Sequence, residues 1–201
     1  MDNAAVVPRR MRDSTIVKDI PVAGTQLVMV YVNGIYAASP AAVAARFPGI
    51  PVAWIDVFGT DYHADVIDVE PRDASVGQAV IWTKGKLALK PAYPPVCYCN
   101  RATLTPLFNA MGAAGLKIVR DWRLGIATLD GTTTVPDMTG VTFVQDRGEA
   151  LTGGHWDESL VYDETWKVAA AKPPWPVQAL KLAQGLVLEA TGLEQLLAVH
   201  Q

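Results

Sequence analysis

Reactive and metal-binding side chains are scarce in this chain of 201 residues, which has two cysteines and three histidines. Cys97 and Cys99 are two apart. On a strand both would face one way, with Cα atoms about 6.5–7 Å apart. That separation is at the limit for an undistorted disulfide. With only His63, His155 and His200 beside them, no tetrahedral zinc set can be assembled from soft ligands, and no metal or other cofactor is expected. The cysteines read as small buried strand residues. No run of about 18 apolar residues exists to span a membrane. Residues 1–10 lack the charged start and apolar stretch of a secretory signal, so a chain made in the cytoplasm is expected. Charge of one sign is also in short supply. The formal net charge is −3, and the cluster Arg9, Arg10 and Arg12 is too short to form a nucleic-acid footprint.

Apolar residues are abundant, at 50% against 18% charged, enough to bury a sizeable core. Residues 1–24 show no period and read as an N-terminal arm. From Gln26 the texture becomes that of a covered strand, broken at Asn33 and Gly34. Ser39 and Pro40 then open a short helix, Ser39 as N-cap and Pro40 at the first helical position. Strand patterns recur over 50–57, 64–69, 95–99, 117–122 and 141–145, with a last strand or turn near 159–162. Helical patterns fall between them over 74–87, where Asp73 can cap, and over 105–114. Alternation of this kind predicts parallel βαβ units. The expected fold is therefore α/β, a short or truncated parallel (β/α) barrel over residues 25–170 with six or seven strands, against eight in a full barrel.

Residues 171–201 form a third region. Pro173, Pro174 and Pro176 make a stiff spacer. Beyond them Leu182, Leu186, Ala190, Leu193 and Leu197 recur at helical spacing, the stripe of an amphipathic helix. Such a stripe packs on its own domain or on a partner, making the protein a homo-oligomer or part of a larger assembly.

Two segments carry candidate chemistry. The apolar strand at Val66 and Ile67 ends in Asp68, Val69 and Glu70. Residues i and i+2 of a strand share a face, so both carboxylates would enter one cavity. Mutual repulsion there raises one pKa and leaves the other group ionised, the division that glycoside hydrolysis uses. Strand-end acids also cap helices or sit in solvent. The second segment runs from the strand ending at Gln145 through Gly153, Gly154, His155 and Trp156 to Asp157. Carboxylates beside flat aromatic rings suit sugars, whose apolar faces stack on such rings, and Trp122 and Trp156 lie nearest the expected strand ends.

These stretches resemble glycoside hydrolase family 25, the lysozyme-type muramidases, and within it a compact bacterial and phage subset. The matching residues are Ile67 to Glu70, Phe143 to Gln145 and Gly154 to Asp157, with Val96 to Asn100 similar to the family's tyrosine-bearing strand. The resemblance implies a TIM-barrel hydrolase cutting bacterial cell-wall peptidoglycan. It implies Glu70 as acid/base, Asp68 and Asp157 as supporting carboxylates, and Asn33, Tyr98, Trp122, Gln145 and Trp156 as substrate-binding residues. That family's first strand ends in an active-site Asp, where the strand over 26–32 offers only the amide of Asn33. The alternative is a non-catalytic structural or glycan-binding module of an assembly such as a phage virion. The protein would then be virion-associated, or as an enzyme released to the cell wall.

Overall fold

The computed structural model describes residues 7–133 and 139–167. The expected hinge and helix over 171–201, with the assembly they would mediate, lie outside the described residues.

Eight strands close into a barrel in sequence order. They are β1 (Arg9–Asp13), β2 (Leu27–Tyr31), β3 (Val52–Asp56), β4 (Val66–Asp68), β5 (Val96–Asn100), β6 (Arg123–Ala127), β7 (Val141–Arg147) and β8 (Asp157–Val161). The helices are α1 (Pro40–Arg46), α2 (Val76–Ala88), α3 (Arg101–Ala113) and the single turn α4 (Glu149–Thr152). Strands β1 to β7 run parallel. β8 is antiparallel to both its neighbours. The barrel is thus closed rather than truncated, and mixed rather than wholly parallel. The reversal before β8 is local: Gly153 ends α4 in the left-handed region at φ 72°, where a side chain would be strained. None of the described helices is long and apolar enough to cross a membrane.

Two strands correct the sequence reading. The first is β1, which lies in the stretch taken as an arm. Its pattern hides because tertiary partners satisfy its arginines. Arg12 meets Glu158 of β8 at 3.1 Å, with Arg10 at 3.4 Å from the same carboxylate. Arg9 donates to the carbonyls of Asp163, Trp166 and Lys167. Only Met11 supplies an apolar side chain to the barrel interior. The second is β6, expected over 117–122 but found at Arg123–Ala127. Residues 117–121 instead form a turn, closed by the Asp121 carboxylate on the Lys117 amide at 2.7 Å and by Val119 at φ 72°. The strand itself contains Gly125, which weakens its pattern. Packing explains that glycine: a Cβ there would come within 2.3 Å of the Phe143 ring.

Helix starts were legible where capping was local. Ser39 caps α1, with Pro40 in the first turn, as the sequence reads. α2 is capped by Ser75 in a capping box with Gln78, not by Asp73. α3 starts at Arg101, four residues before the expected Thr105, capped by Asn100.

The core has two shells. Outside the barrel, Trp54, Ile67, Cys97, Leu124 and Val144 pack with Trp82, Leu107 and Met111 of the helices. Cys97 and Cys99 are buried there and unbridged, and burial pushes both thiols up to about 12. Inside the barrel, Trp166, Phe143 and Tyr98 form a stacked column, with centroids 5.6 and 5.8 Å apart. Trp166 follows the lower end of β8, so the column closes the barrel's N-terminal end and leaves Tyr98 at the other.

Candidate active site

Strand alternation dictates what faces the upper, C-terminal mouth. Met11 points inward on β1, so Asp13 does too. The same logic sends Tyr31 inward after Met29, Asp68 after Val66, Tyr98 after Val96 and Gln145 after Phe143; those preceding residues all belong to the interior cluster. Asp157 begins the descending β8 and pairs directly with Asp13. Asp68 pairs with Tyr98. Because β1 comes first, the acidic strand is the fourth of the barrel rather than the third.

A short hydrogen-bonded chain fixes one side of this mouth. The Tyr98 hydroxyl donates to Gln145 Oε1 at 2.8 Å, and Gln145 Nε2 donates to Asp157 Oδ2 at 2.8 Å. On the other side Asn100 caps α3 by accepting the Thr103 amide at 3.1 Å, and its side chain draws the pKa of the Glu70 carboxyl downward. Glu70 sits beyond β4, half-buried in a bend. Asp13 and Asp68 are almost fully buried, and one oxygen of each, Oδ1, has no hydrogen-bond partner.

Burial and mutual repulsion set the charge state. Asp68 is held well above the usual carboxylate range, first by desolvation and then by Glu70, Asp73 and Asp13. Every charge acting on it is another carboxylate. Desolvation and Asp157 raise Asp13 in the same way. Glu70 is raised by desolvation and by the charges of Asp73 and Asp157, while the Asn100 side chain pulls it back. Asp157 is raised by desolvation and Glu149, against the lowering effect of Gln145. The tyrosine hydroxyls of Tyr31 and Tyr98 are raised by burial and by these acids, so both remain hydrogen-bond donors. Burial and mutual repulsion in such a mouth favour the protonated forms of its carboxyls, and a protonated acid there can deliver its proton to a bound oxygen. Among the described residues no three His, Cys, Asp or Glu are arranged to hold a metal ion.

The structure therefore brings Asp68, Glu70, Tyr98, Gln145 and Asp157 together and sets three expected residues apart. Asn33 is engaged elsewhere: its amide donates to Asp56 Oδ1 at 2.7 Å and accepts from the Val57 amide at 3.0 Å. Trp122 precedes β6 at the opposite end of the barrel, buried edge-on against Phe108 of α3 at 5.0 Å. Trp156 lies over the Arg12 guanidinium, 4.5 Å from its ring centroid. Arg12 alternates outward from Asp13, so this ring covers the outer wall. Sequence reasoning missed Asp13 and Tyr31. The one signal for Asp13 was its two-residue step from Met11 amid arginines, too short a pattern to separate from a polar arm.

No protein-family profile matches the chain, and no curated protein matches it. Among solved structures the chain is similar to a family 25 glycosyl hydrolase from Bacillus anthracis. The TM-score is 0.48 at 14% identity, over 85% of this chain and 96% of that one. No residue role is taken from that likeness.

Proposed function

We propose that the barrel is a glycoside hydrolase of the lysozyme-type muramidase kind, acting on bacterial cell-wall glycan. The observation that carries this reading is the convergence of Glu70, Asp68, Asp157 and Asp13 on one buried mouth, with Glu70 half-buried and its pKa raised. In this reading Glu70 gives its proton to the glycosidic oxygen as the bond to the anomeric carbon breaks. Asp157, held in place by Gln145, faces the positive charge that develops on the ring. Asp68 stays protonated and hydrogen-bonds the acetamido group of the sugar. Water then adds to the anomeric carbon and returns a proton to Glu70, closing the cycle. Asp13, at the end of β1, takes the place of the first-strand acid that seemed absent when Asn33 was aligned with it.

The test is release of reducing ends from purified peptidoglycan by the full chain and by Glu70→Gln. Release by the full chain that the variant loses supports the reading; no release, or equal release by both, overturns it. A second reading, a glycan-binding module without turnover, draws on Asp13 and Asp68. Carboxyls kept neutral by burial offer hydrogen bonds to sugar hydroxyls without supplying charge.

A further inference from the structure

Barrel topology gathers a second set of charges at the end opposite the acidic mouth. Asp65 immediately precedes β4, Lys86 lies in the last turn of α2, residues 91–94 lead into β5, and Trp166 and Lys167 follow the descending β8. These segments enclose a cavity of about 240 Å³. Its walls are of two kinds: Pro91, Pro94 and Trp166 offer apolar surface, while Lys86, Lys167 and Asp65 bring charge. Sites for drug-sized ligands run from about 300 Å³ upward, so the occupant that fits here is smaller. In barrel enzymes the reaction belongs to the C-terminal face, and this cavity lies outside it.

The charges do not cancel. Lys167 meets Asp65 Oδ1 at 2.7 Å, and Asp65 Oδ2 accepts the Trp54 amide at 2.8 Å. Asp65 is thereby committed on both oxygens. Lys86 is buried, at 7% exposure, and its ammonium donates to the carbonyls of Ala64 and, at 3.3 Å, Tyr62. The Trp82 ring centroid lies 5.5 Å away. An ammonium has three N–H donors, so two carbonyls leave one to spare. Among the described residues no carboxylate forms an ion pair with it. Asp65 and Asp61 favour its charge only from farther off, and Lys167 opposes it. Burial is the largest influence and draws the lysine below its ordinary value. A buried cation without a counter-ion is costly, and an anion admitted to the cavity removes that cost.

We infer that this cavity is a binding site for a small monocarboxylate, its anion held by Lys86 and its apolar body lodged against Pro91, Pro94 and Trp166. A single negative charge suits the site, because Asp65 already answers Lys167 and leaves Lys86 to be neutralised. A dianion such as phosphate would also face Asp65. The inference is independent of the hydrolase reading above. Occupancy supplies a counter-ion that folding leaves out, so the ligand stabilises the native state.

Calorimetric titration of the full chain at pH 7 tests it with three probes: benzoate, its neutral isostere benzamide, and inorganic phosphate. Benzoate should bind about tenfold more tightly than either, and should raise the melting temperature more than benzamide does. Lys86→Gln should remove the preference for benzoate over benzamide. Lys84→Gln, at an exposed position of the same helix, should leave it intact and so exclude a general charge effect. Ala92→Trp keeps Lys86 and fills the cavity from its exposed rim. It should abolish binding in a chain that still folds by its melting curve, and it decides the matter if Lys86→Gln does not fold. Equal affinity for benzoate and benzamide, phosphate bound as tightly as benzoate, no binding of any probe, or a preference that survives either Lys86→Gln or Ala92→Trp would overturn the site. Glycan turnover has no part in these readouts, so their outcome stands apart from that of the reducing-end assay.

Discussion

Asp13 and Asp157 stand directly opposite one another on adjacent antiparallel strands, at the seam where β8 closes the barrel onto β1. Like charges in that position repel, and burial makes the repulsion stronger. The pair is a cost that the fold carries at its mouth, and the arginines of β1 do not relieve it, because Arg10 and Arg12 engage Glu158 instead.

Asp13→Asn should therefore stabilise the protein at neutral pH by about 1–2 kcal/mol. Asp13 has a folded-state pKa raised above its ordinary value. Its contribution is neutral at acid pH and becomes a penalty as pH climbs from near 3.8 towards the raised folded value. The gain from the substitution should grow over that interval. Urea denaturation of both proteins at pH 4 and pH 7 measures it; a variant less stable than the parent at pH 7 would contradict the arrangement. In the proposed hydrolase the same substitution lowers turnover.

Glu70→Gln should reduce release of reducing ends by about 10²–10⁴-fold, the usual worth of a general acid. In the unmutated enzyme the proton on Glu70 is lost as pH rises through its raised pKa. Activity should fall on that alkaline side, with the limb displaced above that of an ordinary glutamate. A pH profile of kcat checks it, and a flat profile in that interval assigns the acid elsewhere.

Asn33→Asp should not create an active-site acid. The new carboxylate would face Asp56, which now accepts the Asn33 amide at 2.7 Å. Replacing a donor by a second buried acceptor should cost about 2–4 kcal/mol and bring no gain in turnover. Thermal melting beside the reducing-end assay decides between this and a position in the mouth.

Gly125→Ala should destabilise the barrel by about 1–3 kcal/mol, since the added methyl group meets the Phe143 ring. Phe143→Leu in the same chain should recover part of the loss. A double-mutant cycle reads that coupling directly, and additive effects would show that the ring and the glycine do not share the space.

What the sequence determined by itself was local. Ser39 and Pro40 announce α1 because a cap and a preset φ act within one turn of chain. The apolar runs around β2, β3, β4 and β5 announce strands because covered strands need no polar face. The two-residue step from Asp68 to Glu70 marked a candidate acidic pair, but β4 ends at Asp68 and Glu70 reaches the mouth from the bend beyond it, so strand alternation alone did not place it. Gln145 and Asp157 were singled out through a resemblance in the residues. Tertiary structure decided the rest. β1 is a strand only because Glu158 and the carbonyls after β8 satisfy its arginines, and that strand alone brings Asp13 to the mouth. Asn33, Trp122 and Trp156 are of types suited to a sugar site, yet Asp56, Phe108 and Arg12 engage them at other places. Partners more than a dozen residues away supply those interactions, and no local pattern encodes which of them a side chain will meet.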